Sequence, residues 1–253
     1  MISNMKKANF LDWNNNILIN SLKKIDLNII LVLILDTLFY LLSGYIVLFW
    51  LQRVQSNIAN FNLPQNIVSM GYERAQELVS EVRTFYYLII ASFILLLIAI
   101  IFLASILKGI IWAKTIKSKI SFNLISKFLV LNLIWMGFWF VIILLISLFV
   151  QQQSVPMFML ITIILGLFFT NTIYTIFMKN PSLKAIPKAI KLNISKIHLF
   201  LLPYTIILLL IFIIVKLNNL FTFRYSAILY GLIVVTYAAL VRYYTSTLVQ
   251  AIK

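Results

Sequence analysis

One carboxylate in this chain stands where carboxylates are costly. Asp36 lies about nine residues into an unbroken apolar run, Leu27 to Trp50, near the middle of any bilayer that run would cross. An acid at that depth costs around 3 kcal/mol on insertion scales, so it must face other helices or a wet cavity. Other polar residues fall at a matching depth in later apolar runs: Asn132, Asn171 with Thr170, Thr172 and Tyr174, Tyr204 with Thr205, and Thr236, Tyr237 and Arg242. Together they define a candidate polar layer with Arg242 as the natural counter-ion, although Arg242 sits nearer the surface and has to reach inward. Pro203 adds to the layer by removing one intrahelical hydrogen bond and freeing the carbonyl of Leu199, which Tyr204 is placed to help satisfy. Two chemistries stay open: binding of a proton or ion, as in transporters with broken helices, or plain hydrogen bonding between spans, worth about 0.6 kcal/mol per contact on average.

A second group of acids has another character. Glu73, Glu77 and Glu81 are spaced four apart, so on a helix they form one acidic stripe. Such a stripe captures a cation or docks a basic partner. It is equally a solvated face, relieved by Arg74 and Arg83 and by Arg53 opposite Glu81. His198 has no second His, Cys or acid at ligand spacing, and no metal or cofactor is expected. The chain lacks a P-loop, a His-Glu-x-x-His pair, a Gly-x-Ser-x-Gly elbow and paired intramembrane carboxylates, so no enzymatic activity is expected. With no cysteine, disulfides and thiolate catalysis are excluded.

The elements that position these residues follow from composition. Of 253 residues, 63% are hydrophobic and only 11% charged, too little polar cover for a soluble surface. The apolar residues gather into six runs of the roughly 20 residues that a helix needs to cross about 30 Å of hydrocarbon: 27–50, 85–107, 128–150, 155–177, 197–216 and 225–244. None alternates as a lipid-facing barrel strand must. The expected fold is all-α, a polytopic membrane protein with six transmembrane helices in one membrane domain. The run beginning at Leu27 is too long and too late for a cleaved signal peptide, so it is expected to remain as an anchor.

The net charge of +15 is distributed by side. With both termini cytoplasmic, only Arg53, Arg74, Arg83, Lys216 and Arg224 fall outside, an asymmetry that fixes the orientation in the cell membrane. Ten of the remaining 16 basic residues fall in three segments. Residues 9–25, 112–127 and 181–196 each place apolar residues at helical spacing with lysines between, as interfacial helices do. Lys23, Lys24, Lys117, Lys119, Lys184, Lys188 and Lys191 are the candidate contacts to anionic headgroups, each worth about 1 kcal/mol. Scattered over several segments, the lysines do not suit nucleic acid. Asn193-Ile-Ser is a sequon on the expected cytoplasmic side and should be unused. Between the first two runs, Leu51, Val54, Ile58 and Phe61, then Val68, Gly71, Ala75, Leu78, Val82, Phe85 and Ile89, recur at spacings of three and four around Leu63-Pro64-Gln65-Asn66. This is coiled-coil spacing with a Pro-containing reversal. It predicts an external antiparallel helical hairpin over 51–84, projecting roughly 20 to 25 Å.

Lys108-Gly109 with Trp112, Asn132-Leu-Ile-Trp135 and Pro203-Tyr204 together resemble uncharacterised multi-spanning membrane proteins of low-GC archaea. The basic segment running into the fifth span is similar in style to membrane domains attached to glycerophosphodiester phosphodiesterases, whose catalytic domain is absent here. Neither resemblance implies an activity for particular residues. The leading functional expectation is a non-enzymatic envelope protein that binds a partner or a second copy through the hairpin and anionic lipid through its basic segments. The alternative is a small ion- or proton-coupled permease using Asp36 and the polar layer.

Overall fold

The computed structural model describes residues 10–59, 72–217 and 225–252. The expected reversal at Leu63 to Asn66, with Phe61, Val68 and Gly71, lies outside the described residues, as do Lys6, Lys7, Arg224 and Lys253. All regular elements among the described residues are helices: α1 (Phe10–Lys23), α2 (Asn28–Ala59), α3 (Tyr72–Ile116), α4 (Phe122–Phe149), α5 (Val155–Lys179), α6 (Ala185–Ser195), α7 (Ile197–Leu217) and α8 (Ser226–Ile252). Six of them, α2 to α5, α7 and α8, are long and apolar enough to cross a membrane. Their outer faces carry exposed large apolar side chains, among them Leu41, Leu95, Leu148 and Phe212, which only a hydrocarbon solvent leaves without penalty.

The chain divides into two compact units, Met1–Thr37 with Ser105–Lys253, and Leu38–Ala104. In the first, α5 packs against α4, α6 and α8, and α8 also packs against α1 and α7. The core here is aromatic. The Phe128 ring lies 4.7 Å from that of Tyr174 and 5.6 Å from that of Phe177, and Trp112 meets Tyr174 edge-on at 5.6 Å. Gly109 lets α3 and α4 approach: a Cβ there would meet Ile125 Cδ1 at 2.9 Å and Phe128 Cδ1 at 3.2 Å.

The second unit is built from the middle of α2 and most of α3. Trp50 Nε1 donates to Ser92 Oγ at 3.1 Å and the Trp50 ring lies 5.7 Å from that of Phe93, which fixes the two helices against each other at that level. Among its described residues only Leu96 and Ala104 are buried hydrophobics.

Helix boundaries correct one expectation. Residues 112–127 do not form an amphipathic segment of their own; α3 continues to Ile116, the chain breaks, and α4 starts at Phe122. The break has a local cause. Lys117 takes the left-handed conformation at φ 60°, Ser118 N–H donates to the Ala113 carbonyl at 2.9 Å, and Lys117 N–H donates to that of Lys114 at 3.2 Å. These two bonds make a Schellman stop with lysine where glycine is usual. Ser121, extended at φ −143° and ψ 157°, then caps α4 by accepting from Leu124 N–H, as N-cap serines do. Part of this segment is protein core: Trp112 and Leu124 are buried in the main cluster and Ile116 packs against it, while Ile120 is exposed. Trp13 packs against that cluster and is stacked on Phe10 at 6.1 Å.

Candidate functional site

Asp36 and Val32, one helical turn apart on α2, are both wholly buried, so one narrow stripe of an otherwise lipid-soluble helix faces protein. Val32 packs with Ile111 of α3 and Ala239 of α8. Those two helices also supply the charges. Lys108 Nζ lies 2.6 Å from Asp36 Oδ1, and Arg242 donates through both terminal nitrogens, Nη1 to Oδ2 at 2.9 Å and Nη2 to Oδ1 at 3.2 Å. The Asp36 side chain is fully enclosed, with Arg242 7% and Lys108 17% exposed. The bidentate fork gives the pair its direction. Two cations on one carboxylate leave the cluster with an excess positive charge when all three are ionised. The Arg242 guanidinium spreads part of that charge over the Trp112 ring, 5.7 Å from its centroid, a favourable cation–π placement.

A neutral hydrogen-bond chain adjoins the charges on the same face of α3, since Ser105 is three residues from Lys108. Asn132 Nδ2 donates to Ser105 Oγ at 2.9 Å, and the Tyr174 hydroxyl donates to Asn132 Oδ1. Asn132 is thus bonded on both sides while wholly buried. Trp135 Nε1 donates to Thr170 Oγ1 at 2.8 Å one turn further along α4. The result is a chain of contacts running from Asp36 through Arg242, Trp112, Tyr174 and Asn132 to Ser105.

The other layer residues lie elsewhere. The Tyr204 hydroxyl, which the sequence offers to the Leu199 carbonyl, instead donates to the Phe168 carbonyl at 3.4 Å and is reached by Asn171. Tyr237 donates to the Ile207 carbonyl on α7. Thr236 is exposed, because the buried stripe of α8 passes through Val235, Ala239 and Arg242 and leaves position 236 about 100° away.

Lys108 is the residue of this cluster that the candidate polar layer left out. A depth match would have found it. Asp36 is eight residues from the start of α2 and Lys108 eight from the end of α3, so in antiparallel helices that enter and leave at the same surface the two stand level.

The acidic stripe and the basic residues are mostly open. Glu73, Glu77 and Glu81 are exposed; Arg74 pairs with Glu77 at 3.0 Å, with side chains 64% and 65% exposed. Arg53 lies over the Phe49 ring at 5.3 Å and forms no ion pair with Glu81. Lys23, Lys119, Lys184, Lys188 and Lys191 are exposed. Lys24 donates to Gln250 Oε1 at 3.3 Å, and Lys117 holds Asp26 at 2.9 Å. Asn193 of the sequon is wholly buried, with neither side-chain polar atom partnered; burial alone keeps a glycan off it.

The chain matches no protein-family model, no curated protein and no solved structure.

Proposed function

We propose that this is a cell-membrane protein with both termini cytoplasmic that acts by binding and not by catalysis. The outer stretches of α2 and α3 form paired arms for a partner or a second copy, while the basic segments around α1, α6 and the α3–α4 turn hold anionic lipid on the cytoplasmic side.

One observation carries this reading. At 45 residues, α3 is about 67 Å long at 1.5 Å per residue, against the roughly 30 Å of hydrocarbon it must cross. The excess is polar, with Glu73, Arg74, Glu77, Glu81 and Arg83, and cannot rest in lipid. On the arms, Leu51, Ile58 and Val82 of the heptad positions remain 40%, 53% and 39% exposed. An apolar seam left open outside the membrane favours association.

The absence of native cysteine makes the test direct. Single-cysteine variants Ile58→Cys and Val82→Cys should give oxidative adducts in native membranes, while Leu95→Cys, facing lipid, should give none. Adducts at Leu95→Cys alone, or at no position, overturn the reading.

A proton- or ion-coupled permease is the second reading, and the ionic cluster favours it, because an enclosed acid between two cations is an arrangement that ion pathways use. It expects a pH-dye-reported proton leak in proteoliposomes that Asp36→Asn abolishes. Wild-type liposomes as tight as empty ones would sink it.

A further inference from the structure

Within the first unit, α1, α7 and α8 enclose a cavity of about 420 Å³, inside the roughly 300–1,000 Å³ range of small-molecule sites. Most of its wall is apolar, with Leu18 from α1, Ile206 and Leu210 from α7 and Leu240 from α8. Polar side chains line it too, and two of them are unsatisfied. Asn14 of α1 is 8% exposed; its Nδ2 donates to the Phe10 carbonyl at 2.9 Å, but its Oδ1 has no hydrogen-bond partner among the described residues. Tyr243, on the helix packed against α1, is 1% exposed, and its hydroxyl is likewise unpartnered. Enclosed polar atoms without partners are costly, and native proteins leave few of them. Two from facing helices on one cavity wall call for a ligand with polar atoms of its own. No charged side chain lines the cavity, so an ionised head would enter it uncompensated.

The cavity also has a direction. A second hollow shares Tyr237 and Leu240 with it and continues between α7 and α8 past Ile214, Leu232 and Ile233. The Tyr237 hydroxyl is already spent on the Ile207 carbonyl. From Tyr243 back to Leu232, α8 advances about 16 Å at 1.5 Å per residue, room for one extended hydrocarbon chain. We infer that this groove binds a neutral single-chain lipid of the monoacylglycerol class. Its chain lies along Leu240, Leu232 and Ile214, a head hydroxyl donates to Asn14 Oδ1, and the Tyr243 hydroxyl donates to the ester carbonyl. Asn14 needs a donor and Tyr243 offers one, so the head must carry both kinds of group. A bare hydrocarbon carries neither, and a phosphate brings a charge that no side chain of the groove neutralises. The inference goes beyond the proposed hold on anionic lipid, which uses exposed lysines; none of them lines this groove.

Native mass spectrometry of the full-length detergent-solubilised protein tests it, with monoolein, oleoyl lysophosphatidylglycerol and octadecene as probes. One monoolein should persist under activation that strips all others, and the charged and headless probes should each bind at least about tenfold more weakly. Tyr243→Phe keeps the ring and removes the hydroxyl. It should weaken monoolein roughly fivefold, the worth of one neutral hydrogen bond, while the lipid-free protein melts no lower than wild type, because no internal bond is lost. Leu210→Trp and Leu240→Trp fill the groove from different helices; each should lose the adduct while circular dichroism and monodispersity report an intact fold. Lys184→Gln with Lys188→Gln and Lys191→Gln should leave monoolein retention unchanged and reduce adhesion to phosphatidylglycerol vesicles, so that the groove and the exposed lysines fail or succeed separately. Equal retention of the three probes overturns the inference. So do full monoolein retention by Tyr243→Phe, adducts that survive both tryptophan variants, or a Tyr243→Phe protein that melts lower without lipid, which would give the hydroxyl a structural partner.

Discussion

Asp36 on α2 and Glu77 on α3 each face an arginine at 2.9 to 3.0 Å, yet one side chain is wholly buried and the other 65% exposed. The closest arginine contacts are of similar length, although Asp36 also takes a second Arg242 nitrogen and Lys108. Their surroundings separate them: water screens the Arg74–Glu77 pair and leaves it worth at most about 1 kcal/mol, whereas Asp36 has no water to return to. An enclosed pair adds little over a well-packed apolar alternative, but its parts cannot be removed singly without a large penalty. Asp36 therefore locks the partners Lys108 and Arg242, and so α2, α3 and α8, into one arrangement. Glu77 locks nothing and leaves its helix open to association.

The largest effect should come from breaking the enclosed cluster. Asp36→Asn leaves two buried cations unneutralised and should cost about 3–5 kcal/mol, read as a loss of thermal stability in detergent. Asp36→Leu combined with Arg242→Met and Lys108→Met should recover much of that loss, because the charges leave together. Glu77→Gln, the matching change in the arm, should shift stability by under about 1 kcal/mol. Equal losses from Asp36→Asn and Glu77→Gln would erase the distinction between the two regions.

A smaller effect separates packing in the two units. Phe128 is wholly buried between Tyr174 and Phe177, and in water its truncation to alanine costs about 3–5 kcal/mol. In lipid the transfer share of that cost largely disappears, because the surrounding chains are as apolar as the core. About 2 kcal/mol, the cavity and lost contacts, should remain. Val82→Ala on the arm, with no enclosed cavity to leave, should cost less than about 0.5 kcal/mol in the separated chain and more where an arm partner covers it. Unfolding midpoints measured with and without native membrane extract distinguish the two sites.

The sequence made the six spans legible because run length against bilayer thickness leaves little choice. Asp36 was legible for the same reason, an acid inside a run being an anomaly whatever surrounds it. Lys108 was not, since a lysine at the end of a span satisfies the orientation rule and raises no question. Residues 112–127 misled for a third reason: a helical stripe of apolar residues looks the same whether it meets lipid headgroups or, as Trp112 and Leu124 do, an aromatic core. Thr236 depended on rotation about the helix axis, which an apolar span specifies weakly when most of its faces are apolar.

Lys117 offers the smallest and sharpest test, because its left-handed backbone and its ion pair with Asp26 pull stability in opposite directions. Lys117→Gly relieves the left-handed strain of roughly 1–2 kcal/mol and forfeits a half-exposed ion pair worth a fraction of 1 kcal/mol. The variant should therefore melt slightly higher than wild type at neutral pH. The Asp26 carboxyl is held below the ordinary aspartate range, chiefly by the bond from Lys117 and further by Asn28. A depressed carboxyl contributes stability that is present above its unfolded value near pH 4 and is lost as pH falls through the folded one. Acidification below pH 4 should thus cost wild type more than Lys117→Gly, with Asn28 preserving part of the slope. A variant that is more stable and flatter in acid would show a lysine kept for its charge at the expense of its backbone. A variant less stable than wild type at neutral pH would show that the ion pair outweighs the strain.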